Sequence, residues 1–493
     1  MILLPATTSL PVVWCSFLIV LFYCTTFTAA ATCFGGVNNA PYLNWVNDKG
    51  SAYNVSACYN ATSSDTTQGV AIHWRVDSEN IYLAVAARAE GWAGFGLAEA
   101  GGMRGADMVI FESANPGQVR DAHVLDERIP IDDTCQDWVF LDSRAVDGFI
   151  IFEVYRKLNT MDSQDRAIIN DSNTAVPAQL VIAAWGETTT ATYHGPSNSV
   201  RASVRWYGAG DELTAVREKL AVQSDGYFDL KINYTILPIE TEYQSFCFNW
   251  DPDITDQGIP NETISVIAAE VLTEENSRRF VHHADVFGAT SQSNMSKTCL
   301  PEGSYGYSVY SWATGIHPFL LPDDVGYSFG PTSDNSKLQS FRIQVHYNNP
   351  ELIANVSDGT ALRIYYSKTP RQQELGIMAM GDALSYLEGV DIPAGLSQYD
   401  FTCQSDCSLF ALDEPITVFQ EGFHMHMSGV SAVTYHIRNG EIIRQGRIDF
   451  YDFDQAGKFL RCQNHCILAN ELTMYLLHRI THYTSGAVHR HAW

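Results

Sequence analysis

The feature that most limits what this chain can fold into is its pattern of short β-rich runs, repeated from about Tyr42 to about Phe453 and closed each time by turn residues. Val70 to Val76 followed by Ile81 to Val85 is typical, and beyond residue 227 no helix-period segment is long enough to build an α/β fold. An all-β protein is expected. With 493 residues, 46% of them hydrophobic, there is room for two to four packed cores. The first sandwich is expected over 40–207, followed by a linker over 208–226 in which the charged stretch Asp211 to Lys219 reads as a linker or small helix. Strands resume at Tyr227. A polar stretch, Lys368 to Glu374, places a second boundary near Thr369-Pro370, giving further β domains over 227–369 and 370–474.

Charge narrows the possible partners. The chain has 30 basic and 56 acidic residues, a formal net charge of −26. Such a surface repels phosphate backbones and anionic lipid, so neither a nucleic-acid partner nor peripheral membrane binding is expected. The uncharged stretch Leu10 to Ala31 ends in Ala29-Ala30-Ala31, as a signal peptide does, so residues 1–31 are read as a leader cleaved near Ala31. Left uncleaved, the same run is nearly long enough to anchor the chain in a membrane. Seven Asn-X-Ser/Thr sequons, at Asn54, Asn60, Asn170, Asn233, Asn261, Asn294 and Asn355, fit a secretory route. Secretion, or residence in the lumen of the secretory pathway, follows. Beyond the leader stand Cys33, Cys58, Cys135, Cys247, Cys299, Cys403, Cys407, Cys462 and Cys466. Most of them should be disulfides in an oxidising compartment, but nine is odd, so one thiol is free, pairs between chains or lacks its partner.

Three histidine clusters in the second half carry the chemistry. In Gly422-Phe423-His424-Met425-His426-Met427, an extended backbone puts both imidazoles on one face, because side chains at i and i+2 project together. In Phe280-Val281-His282-His283-Ala284-Asp285, neighbouring residues point to opposite faces, so joint ligation requires a bulge or a strand end. The run Phe341 to His346 alternates cleanly, with Phe341, Ile343 and Val345 toward a core and Arg342, Gln344 and His346 on the other face. Imidazole sites suit copper, zinc, iron or nickel, and a thioether beside two imidazoles shifts the preference toward Cu(I). Spacing alone does not choose copper over zinc.

These clusters, with their surroundings, resemble the copper type II ascorbate-dependent monooxygenases. The matching segments include Glu240-Thr241-Glu242-Tyr243 ahead of Cys247, Cys299 after the His pair, Trp312-Ala313-Thr314-Gly315, His346-Tyr347-Asn348-Asn349-Pro350, Cys403-Gln404-Ser405-Asp406-Cys407, His436-Ile437-Arg438-Asn439-Gly440 and Tyr451-Asp452-Phe453. The resemblance spans about residues 235–453. It implies jelly-roll-like copper domains in which His282, His283 and His346 hold an electron-storing copper. His424 and His426, with a methionine, would hold a second copper at which the substrate is hydroxylated. It further implies O2 and ascorbate as co-substrates, with a small organic molecule, such as an amine of the phenylethylamine type, as substrate. A tyrosine precedes the first cysteine of this region in the family. Tyr243 is the nearest match and the resemblance would make it, with His424, a catalytic residue, although Gln244, Ser245 and Phe246 intervene before Cys247 where the family is shorter.

Ahead of this region, Trp92-Ala93-Gly94-Phe95-Gly96, Gly101 to Met108 and Cys135-Gln136-Asp137-Trp138 resemble the DOMON family of immunoglobulin-like β-sandwiches, over roughly 40–207. Some relatives ligate haem through a methionine and a histidine, which would be Met103 and His194 here. Packing for Met103 and a turn position for His194 are the simpler roles, so haem is not counted among the expected cofactors. A leading DOMON module favours the dopamine β-monooxygenase side of the copper family. After Tyr451-Asp452-Phe453 the resemblance breaks: the last copper domain reads as about two strands short and truncated, and 475–493 as an atypical, His-rich tail. Met474, in Asn470-Glu471-Leu472-Thr473-Met474, is the later methionine that could complete the second copper site, without the cysteine that follows in the family. That break keeps open the alternative of a catalytically impaired, secreted copper- or ligand-binding protein. An oligomer is left open as well.

Overall fold

The computed structural model describes residues 33–35, 39–60, 69–99, 101–125, 129–172, 176, 178–195, 198–208, 210–274, 276–291, 307–313, 318–331, 338–376, 395–403, 416–423, 425, 429–438, 440–451, 460–468 and 473–482. The fold is all-β. It is a succession of antiparallel sheets in which the few helices cover sheet faces.

The first sandwich stacks two sheets. One runs Val55–Asn60, Gly69–Val76, Asn80–Ala87, Phe149–Lys157, Val139–Val146 in spatial order; the other is seven-stranded and centred on Gln179–Gly186, Trp92–Leu97 and Asp107–Glu112. Ile72, Leu83, Val85 and Phe152 from the first sheet meet Phe95, Phe111, Val181 and Trp185 from the second in one core. The outer face of the first sheet is apolar too, because a helix covers it. Ala40–Lys49 buries Tyr42, Trp45 and Val46 against Ala71, Ala84, Ala86, Phe149 and Ile151. This helix departs from the all-strand expectation for the segment. Its signal was present: Pro41 in the first turn and three large apolar residues at i, i+3 and i+4 make a single buried stripe.

A second helix, Glu212–Gln223, lies where the charged stretch after residue 208 was read as a linker or small helix. Val216 and Leu220 pack on Ile267, Ala268 and Tyr365, and Arg217 pairs with Glu270, so it rests on the sandwich that follows.

That sandwich faces a six-stranded sheet, built on Gly226–Lys231, Ala361–Ser367 and Ile264–Leu272, with a four-stranded sheet ordered Thr241–Asn249, Ser340–Asn348, Val281–Ala289, Tyr307–Ala313. Phe228, Leu230, Val266 and Ile364 from the first meet Val286, Phe341, Ile343 and Val345 from the second. The anticipated alternation of Phe341, Ile343 and Val345 toward this core is what the strand shows.

The last region contains a four-stranded sheet, ordered Gly395–Cys403, Thr473–His482, Gly429–Arg438, Glu441–Ile448, and a pair formed by Ile416–Glu421 and Leu460–Leu468. Phe419 packs against the core of the preceding sandwich. Residues 475–482, set apart in the sequence as a tail, run through the interior strand of the four-stranded sheet, between Gly395–Cys403 and Gly429–Arg438. The reason is their apolar, β-prone content, Tyr475-Leu476-Leu477 and Ile480, which pairs with strands on both sides.

Cys33 and Cys58 form a disulfide that ties the segment before the first helix to the first strand. Cys247 is also disulfide-bonded. Among the described residues Cys135 is free and exposed. Among the described residues no helix is long and apolar enough to cross a membrane, and the leader lies outside them.

Candidate metal centre

The Val281–Ala289 strand carries the first histidine pair, and the spacing of its apolar residues determines where they point. Val281, Ala284 and Val286 all enter the core. Ala284 and Val286 are two apart, as a regular strand requires, but Val281 and Ala284 are three apart, so the strand must change phase between them. It does so by a bulge: against Ser340–Asn348 the register passes from Val281↔Tyr347 directly to His283↔His346. His282 is the extra residue, and both histidines fall on the face away from the core, opposite His346.

The result is a cluster of three imidazoles whose ligand nitrogens all lie within 4.8 Å of one another. Their ring centroids are 4.8 Å apart for His282 and His346, 4.9 Å for His283 and His346, and 5.2 Å for His282 and His283. His282 is 9% exposed, and His283 and His346 are each 4% exposed. The Nδ1 atoms of His282 and His283 face each other at 2.9 Å. A neutral imidazole carries a lone pair on one nitrogen and a proton on the other, so converging nitrogens in a buried cluster suit a shared cation.

Neighbouring side chains orient the rings. Thr241 Oγ1 lies 2.7 Å from Nε2 of His346; when that nitrogen donates to the hydroxyl, the lone pair of His346 is on Nδ1. Asp285 Oδ2 lies 3.7 Å from His283 Nε2, and the Ser311 hydroxyl donates to Asp285 at 2.6 Å, which steadies the carboxylate. A carboxylate or hydroxyl on the remote nitrogen of an imidazole is the usual way of fixing ring and tautomer at a metal site. Neither Thr241 nor Asp285 was singled out in the sequence. Both stand two residues from a member of the cluster's face, Thr241 before Tyr243 and Asp285 after His283, and that i±2 relation was the available signal.

Tyr243 pairs directly with His346 in register, and its ring stacks on that imidazole at 4.2 Å with 4° between planes. It is 47% exposed, making it the aromatic wall between the cluster and solvent. Burial, and then the Asp285 charge, raise the phenol above its ordinary range, so it stays protonated through neutral pH.

His424 and His426 lie outside the described residues. Their neighbours Phe423 and Met425 are 4% and 1% exposed. Met474 is on the Thr473–His482 strand, where its backbone pairs with Cys403 on one side and His436 on the other. In the first sandwich, Met103 packs against the cluster containing Trp92, Met108 and Ile182, while the ring of His194 lies against Tyr193 and its Nδ1 meets the Gly195 carbonyl. A further group of ionisable residues there, Asp107, Asp121 and Asp165, has carboxylate oxygens within 4.8 Å of one another.

In the imidazole cluster one ring is hydrogen-bonded to Thr241 and another lies near Asp285, and a set of three imidazole nitrogens fits copper, as it does zinc, iron or nickel. An all-β chain with a buried three-histidine centre on one sheet of a sandwich is, by fold and site, a candidate metalloprotein. The comparisons define it further. Residues 66–178 match the DOMON domain, and residues 232–354 match the copper type II ascorbate-dependent monooxygenase, N-terminal domain. The chain is 26% identical to DBH-like monooxygenase protein 1 of Gallus gallus over 380 residues, covering 72% of this chain and 57% of that one. It is 26% identical to dopamine beta-hydroxylase of Rattus norvegicus over 376 residues, covering 70% and 55% respectively. To DBH-like monooxygenase protein 2 of Mus musculus it is 25% identical over 411 residues, 79% of this chain and 62% of that one. It therefore spans under two thirds of the length of these relatives. The chain thus joins a segment matching the DOMON domain to one matching the copper type II monooxygenase N-terminal domain, and is similar over most of its length to dopamine-β-hydroxylase-like monooxygenases.

Proposed function

We propose that this protein hydroxylates a small organic substrate with O2, drawing electrons from ascorbate, by means of two copper ions held in its second and third β domains. The substrate C–H bond is replaced by C–OH, the second oxygen atom leaves as water, and two ascorbate molecules each give one electron and one proton. The observation that carries the reading is the bulge at His282, which turns both histidines of an adjacent pair onto the face of His346. A structural role for these residues would be served by one buried and one exposed histidine; bringing all three nitrogens together serves a metal.

Copper, when bound, supplies reversible one-electron chemistry. His282, His283 and His346 hold the ion that stores an electron. The Thr241 hydroxyl orients the His346 ring, Asp285 lies beside His283, and the neutral phenol of Tyr243 covers His346 on the side open to solvent. His424 and His426 are assigned to the second ion by the family pattern, with His424 at the reacting centre and Met474 as the thioether ligand. An amine of the phenylethylamine type is the first substrate to try, since the rat relative is a dopamine beta-hydroxylase. The acidic surface suits a cationic amine. Residence in the secretory lumen or outside the cell is supported by the Cys33–Cys58 disulfide and by exposure of the sequon residues Asn54, Asn170, Asn233, Asn261 and Asn355.

Copper titration combined with ascorbate-driven oxygen uptake tests the reading. The expected outcome is copper binding at more than one equivalent per chain, and substrate-dependent uptake that His346→Ala abolishes together with one equivalent of copper. Unchanged copper content in His346→Ala, or less than one copper in the parental protein, would sink it.

A further inference from the structure

The imidazole cluster takes its supports from its own sheet, whereas the segment around Met425 is braced from another domain. Tyr451, fully buried, accepts a hydrogen bond from the Met425 N–H at 2.9 Å and donates to the Met425 carbonyl at 2.6 Å. One phenol thus engages both peptide groups of a single residue and fixes the backbone there. The N–H of Tyr451 donates to the Val430 carbonyl at 2.7 Å. Residues 425 and 430, which bracket His426 in the chain, are both fastened to Tyr451.

Tyr451 is in turn held by the DOMON loop at 99–105. Arg104 Nη1 donates to the Tyr451 carbonyl at 3.1 Å and to the Gly429 carbonyl at 3.3 Å. Glu99, 7% exposed, accepts the N–H groups of Asp449 and Phe450, each at 3.1 Å, one on each carboxylate oxygen. Arg166 pairs with Glu99 at 3.1 Å and also donates to the Gly105 carbonyl, stiffening the loop from behind. Gly105, at φ +62°, lies under the Phe450 ring so closely that a Cβ would come within 2.4 Å of Phe450 Cδ2. These contacts join residues some 350 apart in the chain. They are directional and charge-assisted, and they end on peptide groups, so they set the position of a backbone as loose apolar packing does not.

We infer that the 99–105 loop of the DOMON domain positions the His-X-His segment of the C-terminal copper domain, with Glu99 and Arg104 acting through Tyr451. Arg104, Glu99 and Tyr451 are positioning residues; their effect reaches His424 and His426 through the backbone of Met425. The DOMON module is then part of the second copper centre's support, and detaching it loosens that centre while leaving the first intact. The inference rests on the reading of His424 and His426 as ligands, so its test separates the two.

In the full-length protein, Arg104→Ala and Tyr451→Phe should each weaken the second copper by roughly 10- to 100-fold, the usual cost of losing a group that orients a ligand. Binding at His282, His283 and His346 should not change. The electron paramagnetic resonance signal of the second Cu(II) should shift while that of the first stays, and Arg104→Lys, which can still donate to both carbonyls, should restore most of the affinity. Amide exchange at Met425, followed in the copper-free chain, should speed up in both weakened variants. Unchanged exchange at Met425 overturns the inference, as does faster exchange with second-site affinity unaltered. If the parental chain binds a single copper, the two-copper reading fails, and Met425 exchange alone decides whether the clamp exists.

Discussion

Two buried clusters of ionisable side chains, three imidazoles in the first copper domain and three carboxylates in the DOMON domain, are built alike and completed differently. In each, ligand-type atoms from neighbouring segments of a sandwich come within 4.8 Å of one another. Among the carboxylates the fold supplies counter-charge: Arg156, wholly buried, lies 2.8 Å from Asp107 and 3.4 Å from Asp165. Asp121 accepts the N–H groups of Asp137 and Trp138 at 2.6 and 3.1 Å. Burial nonetheless pushes Asp121 up to about 7, so a proton offsets more of the charge near neutrality. The imidazoles instead bring ring nitrogens face to face, with Thr241 on the remote nitrogen of His346 and Asp285 near that of His283, an arrangement suited to a cation at the centre. What separates the two clusters is which charge the surrounding protein provides.

The sharpest way to break this contrast is to remove a support without removing a ligand. Asp285→Asn and Thr241→Val should each lower copper affinity at the imidazole centre by about 10- to 100-fold, with the three histidines intact. Competition titration against a chelator measures this; equal affinities would mean that the rings need no orienting partner. On the carboxylate side the expected effect is in stability. A carboxyl whose folded pKa is raised contributes stability that is present below the unfolded value, 3.8, and lost as pH rises through about 7. The DOMON domain should therefore lose about 4 kcal/mol from this group between about pH 4 and pH 8. Asp121→Asn should flatten that part of the profile in urea unfolding followed by tryptophan fluorescence. The smallest effect concerns Tyr243: Tyr243→Phe keeps the stacked ring, so copper content should not change. Because the phenol is held above its ordinary range, no titration assignable to it should appear in the activity profile below about pH 10.

Much of the imidazole centre was legible before folding. His346 followed from the alternation of Phe341, Ile343 and Val345, and the need for a bulge followed from two adjacent histidines that must share a face. The odd interval between Val281 and Ala284 even marks where the bulge falls. Thr241 and Asp285 were not read because an i±2 offset from the cluster's face is shared by many strand residues and does not by itself distinguish a ring's partner. Their meaning depends on which strand pairs with which. The helix at Ala40–Lys49 went unread because its apolar stripe is short and stands among β-rich runs, and the strand at Thr473–His482 because the family pattern had already lapsed.

By itself, then, the sequence determined what is local: strand periodicity, an all-β fold, a histidine pair that needs a bulge to share a face, and a resemblance to copper monooxygenases. Only the tertiary structure decided that Tyr243 covers His346, that Tyr451 grips Met425, and that a DOMON loop holds Tyr451. The physical reason is range. Alternation of side chains is set by the geometry of a few successive peptides. Register and domain docking are set by pairing between segments tens to hundreds of residues apart, which no local period encodes.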